Sequence, residues 1–460
     1  MKTHHLLSLG LIATLTWLSG TTANATSLAD GLYGMNWASD STDWPDGLNA
    51  SQTYAQQYAV GQTAGNKILA AGGKTVRMPV DSTMTTGNNW YLYAGAINGV
   101  GSTGCKVILC YWIPSGSTVD TNAWYKVWDV VNTSFGTNHS TVFFEPINEP
   151  TYSTDTALAN VYAQFLARYH PANWKCILAG NNVETICTTL GADSRLNNQY
   201  LGFHMYSWFH ATSNWQGYYS YCATCVGSYA SRTVITETGV QTDGRNPAVP
   251  FWQQWDFSMQ PDQDAFSGVL AWARDNNVGS IAYSGVNYAN LYHWFNSSWT
   301  EMNKQVSDMF RWSWHETVTS PSIAAGTYRL QNRSDSEYLD NLGATTNGAT
   351  VCQYASSSSN NQKWTFIQED SVWYRLQNVA VTSEYLDGYG YTANGSAVKQ
   401  YGSDSSWNQR WALEVTDSGY YKLINKQTGI CVDTGGLTGN GVVVQQWGSG
   451  TSYNQQWLIK

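Results

Sequence analysis

The sequence predicts two folds in one chain, an α/β (β/α)8 TIM barrel followed by an all-β β-trefoil domain. Short apolar strands alternate with helical segments from residue 31 to about residue 314. After residue 325 the texture changes to Gly, Ser, Asn and Gln, and a short motif recurs three times. The chain has 460 residues, of which 42 % are hydrophobic, so both domains can bury a core of their own.

Eight strands are predicted in the barrel region, with helical periodicity between them, for example over residues 53–71, 157–169 and 266–275. Eight β-α units in roughly 290 residues match the size and order of a TIM barrel. An open doubly wound sheet is the alternative, although it more often has about five to seven strands. The predicted strands are Gly31–Ala38, Lys74–Val80, Cys105–Ile113, Thr141–Asn148, Trp174–Asn181, Leu201–Trp208, Arg232–Gly239 and Ser280–Asn287.

The C-terminal repeat has a step of 46 or 47 residues. The motif Asn-Gln-x-Trp, where x is Lys, Arg or Gln, occurs at 361–364, 408–411 and 454–457. A Tyr-Leu-Asp element and its counterpart Cys-Val-Asp keep the same step, at 338–340, 385–387 and 431–433. Three copies are too few for a long solenoid, so we expect them to close on themselves as a threefold β-trefoil.

The first residues predict a secretory signal peptide. Lys2, His4 and His5 precede an apolar stretch over residues 6–18 and an Ala-Asn-Ala cleavage pattern over 23–25. The apolar stretch is too short to span a bilayer. We therefore expect a secreted protein with a signal peptide at 1–25, the barrel at 26–318, a linker at 319–325 and the trefoil at 326–460.

The composition favours a neutral carbohydrate partner. A net charge of −9, with only 12 % charged residues, argues against nucleic acid or an anionic membrane surface as the partner. Aromatic residues reach 14 %, with 23 Trp and 30 Tyr, and exposed rings of this kind can stack on the apolar faces of sugars. We expect a polysaccharide or oligosaccharide partner and a monomeric protein.

Eight cysteines in a secreted chain indicate disulfides, although their pairing is open. Three pairs lie close in sequence and a fourth is widely separated: Cys105 and Cys110, Cys176 and Cys187, Cys222 and Cys225, and Cys352 and Cys431. The Cys-x-x-Cys spacing at 222–225 also fits half a zinc site or a redox motif. A loop disulfide is favoured there, because no second cysteine or histidine pair accompanies it.

Two glutamates stand at the carboxyl ends of predicted strands, where parallel α/β folds build their active sites. The run Phe143–Pro150 closes the fourth strand and carries Glu149, and Val234–Gly239 on the seventh strand carries Glu237. Cleavage of a glycosidic bond with retention needs two carboxyl groups about 5–5.5 Å apart, one as the acid and one as the nucleophile. The pattern therefore indicates a glycosidase-type carboxyl pair.

Five motifs, in order along the predicted barrel, resemble glycoside hydrolase family 5 of clan A. The resemblance extends from Gly31 to about Ser284. It implies Glu149 as the acid/base and Glu237 as the nucleophile, with no metal and no organic cofactor. The motifs are Gly34-Met35-Asn36-Trp37, Val76-Arg77-Met78-Pro79-Val80, Phe144-Glu145-Pro146-Ile147-Asn148-Glu149-Pro150, His204-Met205-Tyr206 and Thr236-Glu237-Thr238-Gly239.

The same resemblance implies the surroundings of the pair. Arg77 would lie near Glu237 and keep it ionised by lowering its pKa, with Glu145 as a buried structural partner of an arginine. Glu149 would have to stay protonated at the working pH. Contacts to the substrate or the nucleophile are expected from an amide, an imidazole and several aromatic rings, namely Asn148, His204, Tyr206, Trp37, Trp112, Tyr283 and Trp294.

Two strands depart from the family pattern. The third, over 107–113, lacks the usual His-Asn element, and the eighth, over 281–287, lacks the usual Trp beneath the sugar. Tyr283 or Trp294 would replace that tryptophan. These changes lie on the substrate platform, so they leave the reaction type standing and the identity of the sugar open.

Residues from Ala325 to Lys460 resemble the ricin B-type lectins and carbohydrate-binding module family 13, through Gln-x-Trp in all three repeats. The resemblance implies that the three motif tryptophans, Trp364, Trp411 and Trp457, belong to the core. It also implies one sugar site per repeat, each made of a carboxylate, an aromatic ring and an amide. These sites are Asp340, Tyr354 and Asn361; Asp387, Tyr401 and Asn408; and Asp433, Trp447 and Asn454.

Taken together, the two resemblances imply a secreted, retaining endo-β-glycosidase with a C-terminal carbohydrate-binding module. The expected substrate is a neutral β-linked polysaccharide: a β-glucan, a β-mannan or a β-galactan, with xylan also open. Two alternatives remain. One is an exo-acting enzyme of the same clan, and the other is a lectin whose barrel is inactive.

Overall fold

The computed structural model describes residues 26–39, 44–113, 117–136, 139–210, 215–240, 260–285, 294–295, 299, 301, 304–316, 323, 325–369, 373–416 and 420–460. The expected signal peptide, most of the expected linker and the last two residues of the eighth predicted strand lie outside the described residues.

Eight parallel strands form the N-terminal barrel, in the order β4-β3-β2-β1-β8-β7-β6-β5. A parallel bridge between Phe144 and Cys176 joins β4 to the residue before β5, and the Phe144 N–H donates to the Lys175 carbonyl at 3.0 Å. The TIM-barrel prediction is therefore confirmed, and the open sheet is wrong. The strands are β1 (Gly34–Asn36), β2 (Thr75–Val80), β3 (Lys106–Tyr111), β4 (Val142–Glu145), β5 (Ile177–Ala179), β6 (Tyr200–His204), β7 (Thr233–Thr238) and β8 (Gly279–Ala282).

Helices follow the strands and cover the outside of the barrel. The first begins at Thr53, whose side chain and that of Gln56 each accept the other's backbone N–H as a capping box. It packs closely on the second helix, because a Cβ at Gly61 would lie 2.1 Å from the Ala96 carbonyl oxygen. The helices are α1 (Tyr54–Ala70), α2 (Asn89–Ser102), α3 (Thr121–Phe135), α4 (Asp155–Tyr169), α5 (Asn181–Glu184), α6 (Thr188–Ala192), α7 (Trp215–Val226), α8 (Gln260–Asp275) and α9 (Lys304–Ser313).

An apolar cluster fills one end of the barrel interior. Leu32 and six strand residues form it, all buried, and their branched or aromatic side chains pack in layers as the fold requires. Polar side chains occupy the opposite, carboxyl end. The six strand residues are Ile108, Phe143, Ile177, Tyr200, Val234 and Ile281. Among the described residues, no helix is both long and apolar enough to cross a membrane.

The C-terminal region is built from fifteen antiparallel strands. They are β9 (Gly326–Tyr328), β10 (Leu330–Asn332), β11 (Tyr338–Asp340), β12 (Cys352–Tyr354), β13 (Trp364–Gln368), β14 (Trp373–Asn378), β15 (Glu384–Asp387), β16 (Ser396–Ala397), β17 (Lys399–Gly402), β18 (Trp411–Val415), β19 (Tyr421–Asn425), β20 (Cys431–Asp433), β21 (Val442–Val443), β22 (Gln445–Trp447) and β23 (Trp457–Ile459).

Each repeat anchors its motif tryptophan in the same way. Trp364, Trp411 and Trp457 are fully buried, as expected. Their indole N–H groups donate, at 3.1, 3.0 and 3.2 Å, to the backbone carbonyls of the residue before each site aspartate. This recurring bond ties the end of each repeat to its first hairpin, which explains why the Gln-x-Trp motif marks the repeat so clearly.

The disulfides expected from the cysteine count are not formed, because all eight cysteines are buried free thiols. Cys105 precedes β3 and Cys110 lies near its end, so their Cα atoms are roughly 16 Å apart along an extended strand. A disulfide needs Cα atoms within about 7 Å. Cys222 and Cys225 lie in the same helix, α7. The cysteines thus behave as small apolar core residues.

Replacing Trp411 by phenylalanine should destabilise the trefoil by about 1–3 kcal/mol. The change leaves the buried Leu386 carbonyl without its indole donor and opens a small cavity. Denaturant unfolding of the full chain, followed by tryptophan fluorescence and circular dichroism, measures the loss. Trp447→Phe is the matched control, because Trp447 is 42 % exposed and should be close to neutral in the same experiment.

Candidate active site

Glu149 and Glu237 lie side by side at the carboxyl rim of the barrel. One carboxylate oxygen of Glu149, one of Glu237 and a ring nitrogen of His204 all lie within 4.8 Å of one another. Glu237 belongs to β7, whereas Glu149 follows β4 in a left-handed conformation with φ of 45°. The Glu237 side chain is 7 % exposed and the Glu149 side chain 14 %, so both are largely buried but still accessible.

Arg77 on β2 connects the nucleophile candidate to the barrel interior. Its Nη1 lies 2.5 Å from Glu237 Oε1, and its Nε and Nη2 donate to the two oxygens of Glu145 at 2.7 and 2.6 Å. Glu145 is therefore the buried partner of an arginine, as the sequence predicted. The same guanidinium donates to Asn36 Oδ1 at 2.7 Å and to Asn148 Oδ1 at 2.6 Å.

The expectation that Arg77 holds the pKa of Glu237 below its ordinary value is wrong. Burial raises the pKa of Glu237, and the nearby charge of Glu149 raises it further, while His204 and Arg77 lower it without reversing the sign. The reason is burial, which has the largest effect on this pKa and outweighs the two positive side chains. Tyr206 OH donates to the other oxygen of Glu237 at 3.1 Å.

His204 sits between the two rim carboxylates and a third carboxylate below them. Its Nδ1 lies 3.1 Å from Glu149 Oε1 and 3.8 Å from Glu237 Oε2. Its Nε2 lies 3.2 Å from Glu184 Oε2, at an angle that misses hydrogen-bond geometry. Burial alone would lower the pKa of His204, but the surrounding carboxylates raise it to about 9.

Glu184 is a functional candidate that the sequence reasoning missed. It is fully buried, accepts from Thr236 Oγ1 at 2.6 Å and accepts the backbone N–H of Glu149 at 3.2 Å. Burial raises its pKa to about 8, against the lowering effect of His204. Glu184 carries no motif and follows the end of a predicted strand. The sequence offered one signal, Gly202, because a glycine inside a predicted strand often marks a place where another group comes close. In the structure that group is Glu184, whose Oε1 would lie 2.2 Å from a Cβ at Gly202.

The backbone that presents Glu184 is strained. Asn182, Val183 and Glu184 all have left-handed φ values, of 53°, 53° and 67°. For a β-branched residue such as Val183 this conformation is a true outlier. Outliers of this kind persist where the surrounding structure fixes them and cluster at functional sites.

The predicted aromatic contacts divide into two groups. Tyr283 follows β8 and its ring meets the Tyr206 ring edge-on at 6.3 Å, and Trp112 is half-buried beyond β3. The prediction that Trp37 and Trp294 contact the sugar is wrong. The two residues are 0 % and 5 % exposed and offer no ring face to a sugar. Their positions within core packing could not be read from the strand pattern alone.

Trp208 is an exposed ring that none of the five barrel motifs includes. It is 61 % exposed and stacks on Tyr206 at 4.5 Å with an interplanar angle of 7°. The phenol that it covers is the one that donates to Glu237. Trp208 therefore belongs to the wall of the site, and its place at the end of the sixth predicted strand was the signal that could have identified it.

Two groups at the rim have spacings compatible with a metal ion: Glu145, Glu184 and His204, and Glu149, His204 and Glu237. Arg77 already contacts Glu145 and Glu237, and the raised pKa of His204 favours its positive form. The positive charge that a metal would bring is thus largely supplied by side chains. This arrangement suits proton transfer and a carboxylate nucleophile.

The trefoil brings the predicted sugar-site residues of each repeat together. In the first hairpin Tyr338 pairs with Tyr354, so the site tyrosine lies diagonally across from Asp340, and the other two repeats keep this register. In each repeat a glycine lies three residues after the aspartate, and the site asparagine packs against it. The amide of that asparagine would be 3.6, 3.7 and 3.2 Å from a Cβ added to the glycine. The three glycines are Gly343, Gly390 and Gly436.

Comparison with known families identifies the C-terminal domain. The profile of the ricin-type β-trefoil lectin domain-like family matches residues 310–401 and 407–460. The chain therefore combines an N-terminal parallel barrel with a carbohydrate-binding domain of the ricin B type. The match begins inside helix α9 and does not extend over the barrel strands.

Solved structures similar to part of the chain include a designed threefold-symmetric protein, ThreeFoil, at 32 % identity over 29 % of this chain and 96 % of that one, with a TM-score of 0.28. An exo-β-1,3-galactanase from Clostridium thermocellum is 26 % identical over 31 % of each chain, with a TM-score of 0.28. The Macrolepiota procera ricin B-like lectin, solved with lactose, is 22 % identical over 31 % of this chain and 99 % of its own, with a TM-score of 0.27. The search of curated proteins returned no match.

The free energy of unfolding should fall as the pH rises from about 6.5 to about 9. Both raised pKa values mean that the folded state holds protons which the unfolded chain releases. The His204 contribution is complete below 6.5 and lost through about 9, and the Glu184 contribution is lost between 4.5 and about 8. Denaturant titrations across this range measure the slope.

Glu184→Gln is the control for that titration, because it removes one of the two groups and should make the decline shallower. A stability that stays level or increases between pH 6.5 and 9 would contradict the assigned protonation states.

Proposed function

We propose that the barrel is a retaining glycoside hydrolase, similar to family 5 of clan A, that cleaves a neutral β-linked polysaccharide. The observation that carries the proposal is the pair formed by Glu149 and Glu237, with carboxylate oxygens within 4.8 Å of each other at one rim. An approach this close supports the short carboxyl separation of retaining enzymes, about 5–5.5 Å, over the separation of about 6.5–9.5 Å that inverting enzymes use.

Glu237 is the nucleophile in this proposal. Arg77 and Tyr206 each donate to one of its oxygens, so the carboxylate is fixed in orientation. Its raised pKa leaves a basic, reactive carboxylate once it is ionised. Attack on the anomeric carbon forms the glycosyl-enzyme bond as the bond to the leaving oxygen breaks.

Glu149 is the acid and then the base. Its proton passes to the leaving oxygen in the first step. In the second step its carboxylate takes a proton from water, the hydroxide adds to the anomeric carbon, and Glu237 leaves as a carboxylate. His204 contacts both carboxylates and carries the positive charge that allows two acidic groups to work at this distance.

Asn148 is placed to read the 2-hydroxyl of the sugar. Its Oδ1 accepts from Arg77 at 2.6 Å, which directs the amide NH2 group away from the arginine. An NH2 donor beside the acid carboxyl can hydrogen-bond to a hydroxyl next to the anomeric carbon. That bond strengthens as the oxocarbenium-like charge develops.

The two-domain arrangement supports endo action on a polymer. A carbohydrate-binding domain in the same chain raises the local concentration of polysaccharide at the barrel, even where each sugar site is weak. The signal-like pattern over residues 1–25 supports secretion, and we propose that the protein acts outside the cell as a monomer. β-Glucan, β-mannan, β-galactan and xylan are the substrates to test.

A reducing-sugar assay across these four polysaccharides tests the proposal. Glu149→Gln should lower the rate on the cleaved polymer by about 10²–10⁴-fold, since a general acid contributes that much. Glu237→Gln should remove the activity. Glu316→Gln is the matched control, because Glu316 contacts Lys74 Nζ at 3.8 Å and accepts from Tyr33 OH at 3.0 Å, at the amino ends of β2 and β1 and away from the carboxyl rim, so this change should leave the rate unchanged.

Retention of full activity in Glu237→Gln would refute the assigned nucleophile. Release of monomers alone from an oligosaccharide ladder would replace endo action with exo action. Polysaccharide binding without hydrolysis of any panel member would indicate a lectin with an inactive barrel.

The division of roles predicts a leaving-group effect. Glu149→Ala should cleave a β-glycoside with an activated phenol leaving group far better than it cleaves the polysaccharide, because such a phenol departs without a proton. Glu237→Ala should lose both substrates. Steady-state rates for the two substrates, compared between the variants, check the assignment. Equal losses for both substrates in Glu149→Ala would contradict its role as the acid.

A further inference from the structure

The three sugar sites of the trefoil share one backbone turn. In each repeat the residue two positions after the site aspartate adopts a left-handed conformation: Leu342 has φ of 54°, Tyr389 of 58° and Gly435 of 66°. Each of these residues donates its N–H to Oδ1 of its own aspartate. The turn therefore orients the aspartate in the same way three times.

The third repeat fills this left-handed position with glycine, which adopts it without strain. The first and second repeats fill it with leucine and tyrosine, bulky residues that this conformation disfavours, and of these two side chains only tyrosine offers a ring to a sugar. The backbone turn alone would be better served by glycine. A strained residue that persists points to use of its side chain, so Tyr389 calls for an explanation beyond the fold.

The side chain of Tyr389 forms a cluster with two more tyrosines, which we name the tyrosine cluster (Tyr389, Tyr391 and Tyr401). The Tyr389 ring lies 5.3 Å from that of Tyr391 and 5.9 Å from that of Tyr401, at angles of 49° and 63°. Tyr389 and Tyr391 are 38 % and 40 % exposed. The three rings therefore form an angled apolar surface next to Asp387.

The other two repeats do not have this cluster. The equivalent positions hold one aromatic ring each, as Leu342, Ala344 and Tyr354 in the first repeat and as Gly435, Leu437 and Trp447 in the third. At these three positions, all within the described residues, the second repeat alone adds aromatic rings to the one that the family pattern supplies.

A polar observation also singles out the second site. Asn408 Oδ1 is buried without a hydrogen-bond partner among the described residues, whereas the equivalent atoms of Asn361 and Asn454 are not in this condition. A buried acceptor left unpaired is unfavourable, and it gains a partner when the Asn408 amide turns toward a bound sugar hydroxyl. Asp387 is meanwhile held by Tyr389 N–H at 2.6 Å and by Gln409 Nε2 at 3.1 Å, in line with a preformed site.

We propose that the second repeat is the principal oligosaccharide site of the domain and that it takes at least two consecutive sugar residues of a neutral glycan. One sugar stacks on Tyr401, with hydroxyls bound to Asp387 and Asn408. The next residue of the chain lies against Tyr389 and Tyr391, whose rings continue the surface by about one sugar length. This site selects for chain length, whereas the first and third sites offer a single ring.

The test measures binding rather than hydrolysis, so it does not depend on the reaction of the barrel. Every protein is the full chain with Glu237→Gln, which should prevent cleavage of the ligand, and with Asp340→Asn and Asp433→Asn, which disable the first and third sites. The probes are galactose, β-1,6-galactobiose and β-1,6-galactotetraose, with xylose, xylobiose and xylotetraose as the second series. Calorimetric titration gives the dissociation constants.

In this background one series should bind, with the tetrasaccharide about tenfold or more tighter than the monosaccharide. Tyr389→Gly, alone or with Tyr391→Ala, should weaken tetrasaccharide binding about tenfold and leave monosaccharide binding essentially unchanged. Because glycine relieves the left-handed strain, Tyr389→Gly should not lower the thermal unfolding midpoint, which separates lost binding from lost folding.

Leu342→Gly is the matched control, since it makes the same backbone change in the first repeat and should alter neither affinity. The proposal is overturned if Tyr389→Gly leaves the ratio of tetrasaccharide to monosaccharide affinity unchanged. It is equally overturned if the background loses all binding to sugars that the unmutated trefoil binds.

Discussion

The candidate active site depends on the sharing of one buried guanidinium between two carboxylates. Arg77 gives two donors to Glu145 and one to Glu237, and all three side chains are almost completely enclosed. Removing the arginine would leave two buried negative charges without compensation, which typically costs about 3–5 kcal/mol. Burial outweighs the charge of Arg77, so Glu237 keeps a raised pKa, and in the proposed reaction this raised pKa gives the nucleophile its basicity.

The protonation of the rest of the site also reflects an excess of carboxylates over positive side chains. Three glutamates surround His204, and the raised pKa values of His204 and Glu184 show that the site retains protons to limit repulsion. Glu184 lies behind the histidine and also accepts the backbone N–H of Glu149, so the same carboxyl group that holds a proton also helps to position the proposed acid. The turn that carries this third carboxylate is strained, with left-handed φ values from Asn182 to Glu184.

The sequence carried the architecture and the central carboxyl pair, and it failed where tertiary packing decides. Apolar runs ending in polar turns are enough to locate eight strands, and a fixed repeat is enough to predict a trefoil. The exposure of Trp37 and Trp294 depends on which helices and loops cover them, and no local pattern reports that. Glu184 has no periodic context, because it sits in a short irregular turn. The pairing of Cys105 with Cys110 failed because five residues along an extended strand place two Cα atoms too far apart for a disulfide.

The anomeric configuration of the first product tests the central account most directly. Proton nuclear magnetic resonance during hydrolysis of a β-linked oligosaccharide resolves the two anomers before they interconvert. If Glu237, held by Arg77, attacks the sugar while Glu149 protonates the leaving oxygen, the β-anomer appears first and the α-anomer follows by mutarotation. Initial formation of the α-anomer would show direct attack by water, and the assignment of Glu237 as a nucleophile would be wrong.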